Sequence, residues 1–142
     1  MCSSDLNQRD FYNGETIAQY ISEFRYDLED DGIGLGRCIV NGGIGYGFSG
    51  AELDVFLKIC IRAIVEQGGR PTVHLDCITF DPRYEGLGPD EIADGVVAEW
   101  HAKGEPKPDW YEFWFMRPDV LVQKKADLEQ AEIIHRRTGA PI

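Results

Sequence analysis

The sequence lacks the features that would mark a membrane-spanning, exported or nucleic-acid-binding protein. No apolar run approaches the roughly 20 residues that a membrane-spanning helix needs, and no signal-peptide pattern opens the chain. Basic residues are scarce: 14 Lys and Arg stand against 25 Asp and Glu, which gives a net charge of −11. Such a charge disfavours direct binding to nucleic acids or to anionic membranes.

The four cysteines form no recognisable ligand or disulfide pattern. They stand at positions 2, 38, 60 and 77, and no pair has the C-x-x-C spacing of a closed zinc site or a redox motif. Cys60 lies on the apolar face of a predicted helix, where cysteine behaves as a small hydrophobe. We therefore expect buried free thiols, no bound metal and a cytoplasmic location. The alternative is a lipoprotein that has lost its signal peptide and is lipidated at Cys2.

Length and apolar content predict one folded domain. The 142 residues are 43% apolar, which is enough for a packed core without a disulfide or a metal. Hydrophobic periodicity gives the order α, β, α, β, α, β, α, which predicts an α+β or α/β domain. We expect a small mixed sheet of about three to four strands packed against about four helices. Residues 1–12 are expected to be a flexible N-terminal segment.

Apolar faces and end signals identify the individual elements. The first helix carries an apolar face of Ile17, Ile21, Phe24 and Leu28. The second begins at a predicted capping box over residues 49–52 and is apolar on most sides, which predicts a central position. The third helix starts near residue 89 and the fourth covers about 126–138. The predicted strands are 37–40, 72–80 and 109–117.

Half of the sixteen glycines lie within residues 32–50. Residues 45–50 match the pattern G-x-G-x-x-G and precede a helix, as in dinucleotide-binding folds. The strand before them is at most four residues long, and the chain that follows is too short for a second nucleotide-binding half. We therefore interpret this segment as a structural loop and predict no cofactor.

An enzymatic interpretation depends on the predicted strand 72–80. His74 and Asp76 share one face of that strand, because side chains repeat every second residue. A carboxylate beside an imidazole can orient a general base or begin a metal site, and Asp81 or Glu85 could contribute. This candidate catalytic site would lie between the strand and the glycine-rich loop 42–50. A hydrogen-bonded pair at a sheet edge explains the same residues, and no nucleophile signature is present, so catalysis is the alternative interpretation.

Acidic residues are concentrated in two parts of the chain. Residues 1–31 carry eight acids and two bases, and residues 72–109 carry nine acids and three bases. Within the first part, four carboxylates fall at i, i+4, i+7 and i+8 and would form a ridge on one helix. Like charges at this spacing repel, and acids in a last turn oppose the helix dipole. Such uncompensated violations are typical of functional sites. This predicted acidic ridge consists of Glu23, Asp27, Asp30 and Asp31. The same charges are also explained by an acidic face that keeps the protein soluble, or by a helix that ends before Asp30.

The charge pattern favours a small acidic, non-enzymatic protein that masks a basic surface on a protein partner. Bacterial immunity or antitoxin-like proteins and phage-encoded nucleic-acid mimics have this profile, and the partner would be a basic toxin or a nucleic-acid-binding enzyme. The acidic ridge would pair with Arg and Lys residues of that partner, flanked by Tyr20 and Tyr26. A second acidic set would strengthen the attracting field. Its members are Asp90, Glu91, Asp94 and Glu99.

Self-association is a third interpretation of the sequence. The aromatic segment at 110–115 and the last predicted helix both offer apolar side chains that a second copy of the chain could cover. The protein would then be a homodimer. Measuring its size in solution would distinguish this state from a monomer.

Overall fold

Helices make up most of the described structure. The computed structural model describes residues 6–73, 79–105 and 113–139. Together the elements within these ranges form a mixed α+β domain, which confirms the predicted fold class. In chain order they are α1 (Ile17–Ser22), α2 (Phe24–Asp30), β1 (Ile33–Gly34), α3 (Leu35–Val40), a π-helical turn (Asn41–Gly45), α4 (Gly50–Glu66), β2 (Arg70–Pro71), a 3-10 turn (Pro82–Tyr84), α5 (Pro89–Ala102), β3 (Trp114–Met116) and α6 (Pro118–Thr138).

The central element is α4, as its apolar sequence predicts. Eight of its seventeen residues are buried, which is more than one helical face can hold. The helix α5 packs beside it and buries Ile92, Val96 and Trp100. Ion pairs connect the polar ridge of α4 to α5, with Lys58 Nζ and Arg62 Nη1 each 3.3 Å from a carboxylate oxygen of α5.

The described part of the sheet is antiparallel and very short. The strand β3 lies between β1 and β2, so that Phe115 is opposite both Ile33 and Pro71. Gly32 permits the close approach of β1 to β3, because a Cβ atom at this position would lie 2.5 Å from the Phe115 carbonyl oxygen. The sheet therefore covers one side of the helical core without extending far beyond it.

Two predicted strands differ from the structure. Residues 37–40 are helical and belong to α3, so the strand predicted there is wrong. The predicted strand 72–80 is not one continuous strand, because Thr72 pairs with Phe80 and the Val73 amide donates to the Thr79 carbonyl at 2.7 Å. Residues 72–73 and 79–80 therefore run antiparallel to each other. Residues 74–78 and 109–112 of the predicted strands lie outside the described residues.

The opening helix is divided into two. Ile17, Phe24 and Leu28 are fully buried, which confirms the predicted apolar face. However, α1 ends at Ser22 and α2 begins at Phe24, so the single helix that was predicted to carry this face is wrong. The Ser22 hydroxyl donates to the Gln19 carbonyl at 2.7 Å, and such side-chain bonds compete with the regular helical ladder.

A capping box forms at α1 and not at α4, where it was predicted. The Thr16 hydroxyl accepts from the Gln19 amide at 3.1 Å, and the Gln19 side chain accepts from the Thr16 amide at 2.9 Å. Ser49 is the N-cap of α4, as predicted, but its side chain makes no capping hydrogen bond. The first residue of α4, Gly50, has a φ of +56°, a conformation that L side chains rarely adopt.

The glycine-rich segment is packed against the core. A Cβ atom at Gly42 would lie 2.7 Å from a ring carbon of Phe56, and one at Gly45 would collide with the Asp10 carboxylate. The Tyr46 ring is buried 5.4 Å from the ring of Phe56. A π-helical turn and a buried aromatic ring therefore stand where a dinucleotide-binding loop needs a preceding strand and an open phosphate cradle.

Two thiols face each other inside this packing. Cys38 of α3 and Cys60 of α4 are both fully buried and free, as predicted for Cys60. Interaction with Cys60 lowers the pKa of the Cys38 thiol, and burial raises the pKa of the Cys60 thiol. The Tyr20 hydroxyl donates to the Cys38 sulfur over 3.9 Å, so the pair is enclosed by neighbouring core side chains.

The last helix is longer than predicted. It begins at Pro118 and not near residue 126, because proline is favoured at the first helical position and Asp119 follows in the first turn. Leu121 is the one residue of α6 that is buried. Much of this helix therefore extends beyond the core.

The two N-caps allow a matched comparison. Replacing Thr16 by Ala should lower the free energy of unfolding by about 1 kcal/mol, because the capping box is lost. Replacing Ser49 by Ala should cost less than about 0.5 kcal/mol, since no side-chain bond is removed. Equilibrium urea denaturation measures both values, and a larger loss for the Ser49 variant would contradict the observed capping.

Adjacent glycines of the π-helical turn provide a second comparison. Gly42→Ala should lower the free energy of unfolding by about 1–3 kcal/mol, because the new methyl group overlaps the Phe56 ring. Gly43→Ala should leave it unchanged or raise it by up to about 1 kcal/mol, since the nearest atom to its Cβ lies 4.0 Å away. Thermal unfolding of both variants tests this difference, and equal stabilities would contradict it.

Candidate functional site

The predicted acidic ridge does not form one continuous surface. Arg37 of α3 pairs with Asp27, with 2.7 Å between Nη1 and Oδ2. Lys124 of α6 pairs with Asp31, with 3.2 Å between Nζ and Oδ1. Two of the four predicted carboxylates are thus neutralised within the chain, and they face different neighbouring helices.

The two tyrosines predicted to flank the ridge have different environments. Tyr20 is only 6% exposed, and its hydroxyl accepts a hydrogen bond from the Asn41 side chain at 2.7 Å. Its ring is therefore a core side chain and cannot flank a partner. It lies three residues after Ile17, and this helical spacing was a sequence signal of its burial. Tyr26 is 58% exposed, with the Arg25 guanidinium 4.9 Å from its ring centre.

Asp30 and Asp31 line an open groove of about 440 Å³ between α2 and α6. Lys124 is the one cation among its lining residues, and Glu29 and Asp30 have no ion pair within the described part of the chain. We call this feature the acidic groove. Its charged lining residues are Glu29, Asp30, Asp31, Asp119, Lys124 and Asp127.

A second group of carboxylates lies around Glu15, and we call it the carboxylate cluster. It consists of Asp10, Glu15, Glu23 and Asp27. Partial burial raises the pKa of Glu15; repulsion by Glu23, a hydrogen bond with it and repulsion by Asp10 raise this pKa further. Arg37 acts in the opposite direction. Burial and the neighbouring carboxylates therefore both oppose a negative charge on Glu15.

An ordered turn over residues 10–14 lies beside the carboxylate cluster. The Asp10 carboxylate accepts from the Tyr12 amide at 2.6 Å, which is an Asx turn, and the Phe11 amide donates to the Gly45 carbonyl at 2.8 Å. The Arg9 guanidinium closes the turn by donating to the Gly14 carbonyl at 2.7 Å. We call this segment the aromatic turn.

The aromatic turn presents large apolar side chains to solvent. Phe11 is 72% exposed and Tyr12 is 78% exposed. Ile44, which precedes the glycine bonded to Phe11, is 60% exposed. Apolar side chains held together on a surface are typical of protein-binding sites. The aromatic turn and the carboxylate cluster together form the candidate site.

The second acidic set is largely neutralised. Asp90 pairs with Arg62 of α4, and Asp94 pairs with Lys58 of the same helix. Glu99 pairs with Arg83 over 2.5 Å. Arg83 also pairs with Asp81 at 2.6 Å. These acids therefore hold α4, α5 and the 3-10 turn together, and their field at long range is weaker than the sequence alone suggests.

The enzymatic alternative falls mainly outside the described residues. His74 and Asp76 belong to residues 74–78, so their arrangement stays a prediction. The side-chain hydrogen bond from Arg83 lowers the pKa of Asp81. Asp81 and Glu85 line a groove of about 320 Å³, but no residue of the glycine-rich loop 42–50 lines that groove. Within the described ranges, no group of three or more His, Cys, Asp or Glu residues could hold a metal ion.

Sequence reasoning missed half of the candidate site. Asp10, Phe11, Tyr12 and Glu15 fall in or beside the segment that was predicted to be flexible. Two local signals pointed to ordered structure there: the turn dipeptide at residues 13–14, and the Thr-x-x-Gln capping pattern at residues 16–19.

The crowding of Glu15 predicts a characteristic pH dependence. Because folding raises its pKa above the ordinary value of 4.5, the folded state binds this proton more tightly. This tighter binding of the proton stabilises the folded state at pH values below the ordinary pKa. The stabilisation is lost as the pH rises through the raised pKa. Glu15→Gln should therefore raise the free energy of unfolding near pH 7 by about 0.3–0.5 kcal/mol, a value reduced by solvent screening, and have little effect near pH 4.

The matched control for this prediction is Glu52→Gln. Glu52 lies in the first turn of α4, where the helix dipole favours a negative charge, so its removal should lower the stability near pH 7. Urea denaturation at both pH values compares the two variants. A loss of stability in Glu15→Gln near pH 7 would show that its carboxylate is not crowded.

The comparisons with known proteins do not assign a family to this chain. No protein-family model, no curated protein and no solved structure matches it. Among the residues that the structure describes, no helix is both long and apolar enough to cross a membrane. A function for the chain must therefore be inferred from its own geometry and electrostatics.

Proposed function

We propose that this chain is a small, acidic, non-enzymatic binding protein that masks a basic surface on a protein partner. Immunity or antitoxin-like proteins and nucleic-acid mimics act in this way. The observation that carries the proposal is the crowding of Glu15 against Glu23 and Asp10 beside an exposed aromatic turn. Such a surface offers unneutralised negative charge and large apolar side chains at the same place.

The carboxylate cluster is better matched to a cationic partner than to solvent. Arg37 is the guanidinium that acts on Glu15, and it is already paired with Asp27 at 2.7 Å. An Arg or Lys side chain of a partner would replace the repulsion between Glu15 and Glu23 with charge-assisted hydrogen bonds. The arrangement that is unfavourable in the free protein would thus become favourable in the complex.

The aromatic turn supports the same partner through a different interaction. Charged pairs at the edge of an interface mainly accelerate the encounter and select the partner, whereas buried aromatic side chains supply much of the affinity. Phe11 and Tyr12 are held by backbone hydrogen bonds of their turn, so little backbone entropy is lost on binding. The matching partner surface is an apolar pocket bordered by Arg and Lys.

Two double variants test this proposal. The wild-type chain is immobilised to capture proteins from its native cell, and the captured protein is purified for equilibrium titration. Glu15→Gln/Glu23→Gln should weaken binding by more than about tenfold, because the charges that attract the partner are removed. Phe11→Ala/Tyr12→Ala should weaken binding by a similar factor. The salt dependence of binding should fall less in this variant than in Glu15→Gln/Glu23→Gln, because its carboxylates are kept.

Asp90→Asn/Asp94→Asn provides the control for loss of two carboxylates. These side chains are exposed but pair with α4, so binding should change by less than about twofold. Thermal unfolding of each variant confirms that it is folded. Equal affinity of the wild type and the Glu15/Glu23 variant, or a captured partner with an acidic surface, would contradict the proposal.

A further inference from the structure

The contact between Gly42 and Phe56 fixes how Cys38 and Cys60 face each other. A Cβ atom at Gly42 would lie 2.7 Å from a ring carbon of Phe56. Cys38 lies about one helical turn before Gly42, and Cys60 lies about one turn after Phe56. Cys60 lowers the pKa of the Cys38 thiol, which shows that the two thiols are neighbours. The two segments therefore cross in opposite directions, and Cys38 lies opposite Cys60.

Cys38 is the thiol that is better placed to become a thiolate. The Tyr20 hydroxyl donates to its sulfur over 3.9 Å, and the Asn41 side chain donates in turn to that hydroxyl at 2.7 Å. Donors directed at a sulfur atom favour its negative form, and the thiolate is the form that attacks an oxidant. Burial raises the pKa of the Cys60 thiol, which therefore keeps its proton. A nucleophilic sulfur beside a protonated thiol is the arrangement of a redox-sensitive pair.

We propose that Cys38 and Cys60 are a redox-sensitive pair, which a peroxide converts into a disulfide that joins α3 to α4. The Cys38 thiolate attacks one oxygen atom of hydrogen peroxide, the O–O bond breaks, and the departing hydroxide takes up the proton that Cys38 lost. The Cys60 sulfur then attacks the sulfenic acid on Cys38, and the S–O bond breaks. The hydroxyl group leaves as water with the proton of Cys60. Two thiols and one peroxide thus give one disulfide and two water molecules, and two electrons pass from sulfur to oxygen.

Burial determines how fast this conversion can be. Both sulfur atoms are fully buried, so the oxidant reaches them only when the surrounding side chains move apart. The pair therefore responds to prolonged exposure to peroxide and not to a brief one.

The disulfide would stabilise the support of the aromatic turn. It would fasten α3, and with it the π-helical turn that follows directly, to α4. Gly45 of the π-helical turn accepts the hydrogen bond from the Phe11 amide. The inference goes beyond the proposed function and does not depend on it, because the oxidation takes place in the core whether or not a partner binds.

Mass spectrometry tests the link in a chain that keeps only these two cysteines. The Cys2→Ser/Cys77→Ser variant is treated with hydrogen peroxide while folded, and any remaining thiols are alkylated. Trypsin cleaves after Arg37, Lys58 and Arg62, so the two cysteines fall on the separate peptides 38–58 and 59–62. We expect these peptides to be joined within one chain, with the loss of two hydrogen atoms. Unjoined peptides that have gained oxygen, or a link between two chains, would overturn the proposal.

A glutathione redox buffer measures whether the fold favours the link. The effective concentration of one thiol at the other should be at least about tenfold higher in the folded protein than in concentrated urea. The equilibrium is approached from both directions, by oxidising the folded thiols and by refolding a chain that was oxidised in urea, so that slow oxidation cannot hide the result. An effective concentration that is no higher in the folded protein would contradict the proposal.

Cys60→Ala/Ile61→Cys in the same background is the matched control. It moves the second thiol by about 100° around α4 but lengthens the loop between the two cysteines by a single residue. Its effective concentration should therefore match that of the proposed pair in urea and should not rise in the folded protein. Circular dichroism checks that this variant is folded. If it is not folded, the comparison of the proposed pair with and without urea decides alone.

Discussion

The packing around the Phe56 ring determines where the other parts of the molecule lie. Its ring centre is 6.1 Å from that of Tyr20 and 5.4 Å from those of Tyr46 and Phe48, so it connects α1, α4 and the segment between the π-helical turn and α4. Gly42 approaches the same ring so closely that no side chain fits. Because protein interiors are packed as densely as crystals, a shift of this ring would displace all of these elements together.

This aromatic core also holds the candidate site in place. The buried Tyr46 donates from its hydroxyl to the Glu15 carbonyl at 3.1 Å, and the backbone of Gly45 accepts from Phe11. The backbone of Glu15 is therefore fixed to a buried ring, which keeps this residue near Glu23. The cost of the crowded carboxylates is met by the packing beneath them, which is how a rigid scaffold supports an unfavourable surface arrangement.

The parts of the structure that the sequence predicts correctly have repeated local signals. Long apolar faces and clear end residues identify α4 and α5. The break between α1 and α2, by contrast, coincides with one hydrogen bond of the Ser22 hydroxyl, and the hydrophobic periodicity of the sequence does not indicate such a bond. The carboxylates of α2 show the same limit. Asp27 pairs with a residue 10 positions away and Asp31 with one 93 positions away, so their neutralisation depends on tertiary packing. The crowding of Glu15 and Glu23 likewise follows from the fold.

The enclosed thiols of Cys38 and Cys60 have a consequence for how the protein can be studied. Both sulfur atoms are inaccessible in the closed core, and they lie on two different helices, α3 and α4. A thiol reagent can modify either one only after the core opens. The modification rate of these two side chains therefore reports the frequency of opening at the centre of the molecule, without an added label.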